Sequence, residues 1–404
     1  MNHGCYPGLY LASLTLLASC AVSPILDQRD AVSLARGSSV EGQFIVRLRS
    51  PSRAADVARR LGGQFIGRIG REYALIRTPS TRLLAARDPD CLSVESDRSL
   101  DLDVRPETTG LPAPFATGPD PLVPAQWGLS RARFLDVDAS GSPAVTVAVI
   151  DSGIDASHPE LEGRVREGWD FTRKVPGPGG LTDGYGHGTH VAGVIGARRG
   201  DGMGIAGIAP DCTLLSVRIF NDWGHSSEGV AAAAVTWAVD HGAKVINASW
   251  GTTLPGEAAK QAFADAVARG TVLVAAAGNS GKGADPAYPA AVPGVIAVAA
   301  STDLDGWPSF SSTGEHVSVA APGESILSTY PRSRSQGYRI MSGTSMAAPH
   351  VSGLVALMVS REPKLAPAEI KDRLERTAQD TVMTGRDPYS GAGRIDAVRA
   401  LGPR

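Results

Sequence analysis

At 404 residues the chain is longer than one ordinary core requires, and leaves room for a large domain and a smaller one. Its 39 Lys and Arg against 41 Asp and Glu give a formal net charge of −2. That balance excludes a protein that holds nucleic acid through bulk positive charge, so no nucleic-acid partner is expected. Of the four cysteines, Cys5, Cys20 and Cys91 lie early and only Cys212 falls in the last two thirds. No disulfide is available inside that larger part, so packing must hold it.

In chain order, Leu9 to Val22 is mostly apolar but too short to span a bilayer. Residues 1–19 read as an export signal. Leu17-Ala18-Ser19-Cys20 resembles the lipobox of bacterial lipoproteins, in which the cysteine is lipidated and tethers the protein to a membrane. A plain secretory signal is the alternative, and both readings imply export to the cell envelope or beyond. After a linker over 20–41, residues 42–103 read as a small α+β domain. Strands are expected over Gly42 to Arg49, Glu72 to Ile76 and Cys91 to Asp97, with helices over Ser52 to Leu61 and Thr81 to Arg87. Residues 104–124 are rich in Pro, Gly and Thr and read as an exposed linker, the kind of segment where processing occurs.

From 125 to 404 the pattern changes. Apolar runs at Val145 to Ile150, Val245 to Ser249, Thr271 to Ala276 and Val295 to Ala300 lack polar alternation. Between them lie helical patterns such as Glu257 to Arg269, stopped by Gly270, and an Ala-rich segment capped by Ser226 or Ser227. Buried strands separated by helices imply an α/β fold, a doubly wound and mostly parallel sheet with helices on both faces.

Three segments in this part carry chemistry. Asp151 ends an apolar strand, His187 sits in a glycine-rich turn before a helix, and Ser345 follows Gly343-Thr344 at the start of an apolar helix. A serine hydroxyl is a weak nucleophile that needs a base, and an imidazole base needs a carboxylate to fix its tautomer. Singly, each residue is an ordinary turn former, loop histidine or cap. Together, in the order Asp, His, Ser, they form a candidate triad. His187 and His190 do not suggest zinc, because no third ligand accompanies them.

Asp151-Ser152-Gly153, His187-Gly188-Thr189-His190 and Gly343-Thr344-Ser345-Met346-Ala347-Ala348-Pro349 resemble the three signatures of the subtilisin-like serine proteases. Ala275-Ala276-Ala277-Gly278-Asn279 matches where that family places an amide donor to the oxyanion, which implies that role for Asn279. The resemblance implies a serine endopeptidase that acts on protein or peptide substrates and requires no cofactor. It also implies that residues 42–103 are an inhibitory propeptide and a partner of the catalytic domain. Ser249-Trp250-Gly251 matches the substrate-pairing edge, and the bulk of Trp250 would narrow a subsite. Ala287-Tyr288-Pro289 matches the floor of the specificity pocket; it favours an apolar residue before the scissile bond, with Asp285 nearby. Family members often bind structural calcium through the loop after the histidine helix. Here that loop, Arg198 to Gly204, offers one carboxylate and two arginines, so no metal ligand is assigned. Two other functions remain in view: a silent scaffold used for binding, and an esterase. The second usually shows Gly-x-Ser-x-Gly, whereas residue 347 is Ala.

Overall fold

The computed structural model describes residues 38–78, 88–102, 105–106 and 118–403. The export signal, Cys20, the helix expected over Thr81 to Arg87 and most of the Pro-rich linker lie outside the described residues.

The first part is an antiparallel sheet of β1 (Ser39–Leu48), β2 (Gln64–Ile69), β3 (Tyr73–Arg77) and β4 (Cys91–Asp101), in the order β4-β1-β3-β2. Helix α1 (Ala54–Arg60) covers one face. Because strand side chains alternate between faces, Phe44, Val46, Ala74 and Ile76 pack with Val57 and Ala58 of α1, while Ile45 and Leu75 point the other way. Strand β2 was not assigned residue by residue from the sequence: Gly67 breaks its pattern, and the ladder with β3 shifts register between Phe65 and Gly67. Next comes the two-residue strand β5 (Arg105–Pro106), within the stretch expected to be linker.

The second part comprises α2 (Trp127–Arg131), β6 (Thr146–Asp151), β7 (Val165–Asp170), β8 (Gly177–Gly179), α3 (His187–Gly196), β9 (Thr213–Arg218), β10 (His225–Ser227), α4 (Glu228–Asp240) and β11 (Val245–Ala248). It continues through α5 (Glu257–Ala268), β12 (Val272–Ala276), β13 (Ile296–Ser301), β14 (Val319–Pro322), β15 (Ile326–Thr329), β16 (Tyr338–Ser342), α6 (Thr344–Arg361), α7 (Pro367–Thr377) and α8 (Ala397–Leu401). Eight strands form one sheet in the order β14-β13-β12-β11-β6-β9-β7-β8, parallel except for the β7–β8 pair. Both faces are buried. In β6, Val147 and Val149 join the core made with α3 and α6, whereas Ala148 and Ile150 join the core made with α4 and α5. This is the doubly wound α/β architecture expected from uninterrupted apolar strands. Ser227 is the cap of α4, its hydroxyl accepting the Val230 N–H at 3.3 Å, and Gly270 follows α5 with φ +87°. Cys91 and Cys212 are both free thiols. Among the described residues no helix is long and apolar enough to cross a membrane.

The two parts are joined by strand pairing as well as packing. Strand β10 adds to the edge of β4, and β5 pairs with β16. The face of the small sheet carrying Ile45, Ile66, Ile69 and Leu75 packs into the α4–α5 core. Arg68 pairs with Asp240, and the Gly70 N–H donates to Thr236 Oγ1 at 2.8 Å. At the N-terminus of α4, the Gly229 N–H donates to Asp97 Oδ1 at 2.7 Å. An anion suits that helix end, yet Asp97 shares it with Glu228 and Glu95.

Burial raises Asp97 to about 6 and Glu228 to about 7, with Asp97 and Glu95 adding to the rise at Glu228 and Arg98 opposing it. Both folded values lie above the ordinary carboxyl range, so the folded chain binds more protons than the unfolded one. Their contribution is therefore full at low pH and lost as pH rises through about 6 to 7. On a Ser345→Ala background, the melting temperature should fall between pH 5 and pH 8, and Glu228→Gln should flatten that fall. A slope that Glu228→Gln leaves unchanged would assign the effect elsewhere.

Candidate active site

The carboxyl end of β6 delivers Asp151 and the start of α3 delivers His187, both side chains fully buried. Gly153 lets the chain turn away at φ +103°, where a Cβ would lie 2.1 Å from the Thr182 carbonyl. Gly188 matters for approach: a Cβ there would meet the Gly153 carbonyl at 2.1 Å, forcing α3 off the strand end. With that space free, His187 Nδ1 lies 2.8 Å from Asp151 Oδ1 and 2.9 Å from Oδ2. A carboxylate only accepts, so Nδ1 carries the proton and Nε2 is left as the acceptor. Nε2 is buried and has no hydrogen-bond partner. Asp151 Oδ1 also accepts the Ser152 N–H at 2.7 Å, and Ser152 Oγ accepts the Gly188 N–H at 2.9 Å.

Ser345 is the second residue of α6. Its hydroxyl donates to the Ser249 carbonyl at 2.9 Å, and no hydrogen bond joins it to His187 in this arrangement. Its own carbonyl is held by the Ser249 hydroxyl at 2.8 Å, which in turn accepts from Asn247 Nδ2 at 2.9 Å. Ser352 closes this buried chain by donating to Asn247 Oδ1 at 2.9 Å. Asn279 Oδ1 accepts from both the Thr344 N–H, at 2.9 Å, and the Thr344 hydroxyl, at 3.0 Å. The amide oxygen is thus engaged by the residue before Ser345, which makes Nδ2 the donor end.

Ser249, Gly251, Asn279, Asp285 and Ala287 line one cleft with Ser345. Trp250 contributes to its wall, but the ring is only 5% exposed. It packs against Phe263 and donates its indole N–H to the Ile150 carbonyl at 2.7 Å. The bulk expected to narrow a subsite is largely buried, and it braces the strand that ends in Asp151. Tyr288 exchanges backbone hydrogen bonds with Thr252, beyond Gly251. Ser99, Leu100 and Asp101 of β4 line the same cleft.

Asp183, like Asn247 and Ser352, was not singled out from the sequence. Asp183 is buried at the foot of α3 and accepts from the N–H groups of Tyr185, Gly186 and Thr189 and from the Thr189 hydroxyl. Burial raises its pKa, and those bonds oppose the rise. It fixes the turn that carries His187. His190 is held neutral by burial, its pKa lowered to about 3, with Nε2 between the Ile326 and Arg339 carbonyls.

The loop after α3 has more acid around it than its own sequence offers. Asp120 accepts the Gly200 N–H at 2.7 Å, and Glu160 Oε1 accepts the Ile205 N–H at 2.9 Å and the Tyr338 hydroxyl at 2.8 Å. Burial pushes Glu160 up to about 7, with Asp201 and Asp120 adding to it. Glu160 Oε1 is thus taken up by N–H and O–H donors, while Glu160 Oε2 is buried without a hydrogen-bond partner. Among the described residues no group of three or more His, Cys, Asp or Glu is placed to hold a metal ion. No calcium ligand is assigned.

Residues 142–393 match the family model described as the subtilase family. The chain belongs to that family of serine proteases. It is 41% identical over 263 residues to thermitase of Thermoactinomyces vulgaris, covering 65% of this chain and 90% of that one. It is 40% identical over 304 residues to fervidolysin of Fervidobacterium pennivorans, covering 68% of this chain and 43% of that protein. The crystal structure of fervidolysin, described as a keratinolytic enzyme related to subtilisin, superposes with a TM-score of 0.74 at 32% identity. That match spans 92% of this chain and 62% of the other, and the sequence alignment spans 43% of the curated fervidolysin.

Proposed function

We propose that the chain is an exported serine endopeptidase made as a zymogen, with Asp151, His187 and Ser345 as its triad. Ser345 Oγ attacks the peptide carbonyl carbon while its proton passes to His187 Nε2. The tetrahedral intermediate collapses, and His187 returns that proton to the leaving amine. Water then repeats both steps on the acyl-enzyme and frees Ser345. Asp151 holds the Nδ1 proton throughout. For this the Ser345 hydroxyl must leave the Ser249 carbonyl and turn to Nε2, the buried acceptor that lacks a partner.

The observation that carries the peptidase reading is the extended chain beside the site. The Leu102 N–H donates to the Gly224 carbonyl at 3.0 Å, and Arg105 and Pro106 pair with Ser342 and Met341, just ahead of Ser345. A strand edge that binds backbone is suited to polypeptide. An esterase needs no such edge, and a silent scaffold needs no His187–Asp151 pair. The bonds between Leu102 and Arg105 are therefore the proposed site of self-cleavage. Intact-mass analysis of wild type should show a fragment starting at residue 103, 104 or 105. Ser345→Ala and His187→Ala should stay uncut, with peptide turnover lower by about four to six powers of ten, a scale set by triad deletions in subtilisin. A Ser345→Ala protein that matures itself would refute the assignment.

Asn279 is the proposed donor to the oxyanion. Because it acts as charge develops, Asn279→Ala should lower kcat about a hundredfold to a thousandfold, a figure carried over from subtilisin, and leave KM nearly unchanged. A raised KM with unchanged kcat would place Asn279 in ground-state binding instead.

Lipidation of Cys20 is the proposed anchor. The uncut chain should then partition with membranes and Cys20→Ala should be soluble. Cutting between Leu102 and Arg105 would release the catalytic part. Wild-type catalytic domain that stays in the membrane fraction after cutting would contradict release.

A further inference from the structure

Backbone pairing along the cleft is blind to sequence, so selectivity must come from side chains that neighbour the bound strand. In β4 the alternation is clear. Leu100 is 3% exposed and packs in the same core as Ile150 and Trp250, while Asp101 is turned toward β10. There it lies directly opposite His225 in the antiparallel register, with His225 Nδ1 2.7 Å from Asp101 Oδ1. The contact is partly open to water, the side chains being 47% and 24% exposed for His225 and Asp101. His225 is not a chance orientation. Its N–H donates to Asn221 Oδ1 at 3.0 Å and its carbonyl accepts the Asn221 N–H at 3.1 Å, which closes a small loop around Gly224. That same loop supplies the carbonyl that holds Leu102.

We propose that His225 is a specificity-determining residue of the mature enzyme, selecting an acidic side chain at the substrate position that Asp101 occupies in the uncut chain. The inference rests on the reading of the cleft strand as a bound substrate. With cleavage between Leu102 and Arg105, the selected position lies two to four residues ahead of the scissile bond. The partner is thus an extended polypeptide with an apolar residue in the place of Leu100 and Asp or Glu next to it. Apolar preference and acidic preference are separate: the first is read by the buried core, the second by an imidazole at the rim.

The test uses matured enzyme and internally quenched peptides of the sequence Ser99 to Pro106, carrying Asp, Asn or Lys at the position of Asp101. A cross-strand contact between an imidazole Nδ1 and a carboxylate at a half-exposed site favours binding by about two- to fivefold. Wild type should rank the peptides Asp, Asn, Lys in kcat/KM, with steps of about that size residing in KM. His225→Gln should level the ranking, and His225→Glu should invert it. Titration of Ser345 with a sulfonyl fluoride gives the fraction of intact sites in each variant, so a poorly folded variant is corrected for. Equal rates for all three peptides on wild type would overturn the inference, as would an Asp preference that survives His225→Gln. If no peptide is cut at all, the peptidase reading itself fails, an outcome distinct from cutting without preference.

Discussion

The structure turns on a buried contact between an imidazole and a carboxylate. Asp151 and His187 have no exposed side-chain surface, and they meet at hydrogen-bonding distance. Burying a lone carboxylate costs several kcal/mol, so the site must supply both a partner and local N–H donors. It does so with His187 Nδ1 and the Ser152 N–H. The geometry follows from the sheet. The carboxyl end of β6 fixes Asp151, and the helix that returns over the sheet begins at His187 only because Gly153 and Gly188 clear the space between them. Ligand sites at the carboxyl edge of such sheets are a general outcome of their connectivity.

Around that contact, the other side chains are tied together through buried polar bonds. The Ser352–Asn247–Ser249 chain ends on the Ser345 carbonyl, and Thr344 ties Asn279 to the same helix start. Fully satisfied networks of this kind hold one arrangement and penalise alternatives, since each unpaired buried group is costly. The covering strand fits the same logic. Sheet edges left by β10 and β16 are taken up by β4 and β5 of the same chain.

Much of this was legible in the sequence. Asp151, His187, Ser345 and Asn279 lie in short local motifs, and the buried strands announce themselves by uninterrupted apolar runs. The remainder depends on contacts between residues far apart in the chain. Asn247 and Ser352 are separated by 105 positions and look like an ordinary strand and helix residue until they meet. Strand β5 spans only Arg105–Pro106 inside a Pro-rich stretch, and its pairing exists because β16 is there to receive it. Counting carboxylates within the loop after α3 likewise missed Asp120 and Glu160, which arrive from other segments. Asp183 lies outside the signature motifs, yet the turn it makes carries the histidine.

The central claim is that one serine is made nucleophilic by the His187–Asp151 pair and is reached by substrate only where the chain's own strand lies. Its most direct measurement is covalent labelling with a phosphonyl or sulfonyl fluoride followed by peptide mapping. The expected result is one adduct per chain, on Ser345. It should form quickly once the segment before Arg105 has been removed, slowly while that segment is attached, and hardly at all in His187→Ala. Labelling at another residue, or equal labelling of Ser345 with and without His187, would contradict the account.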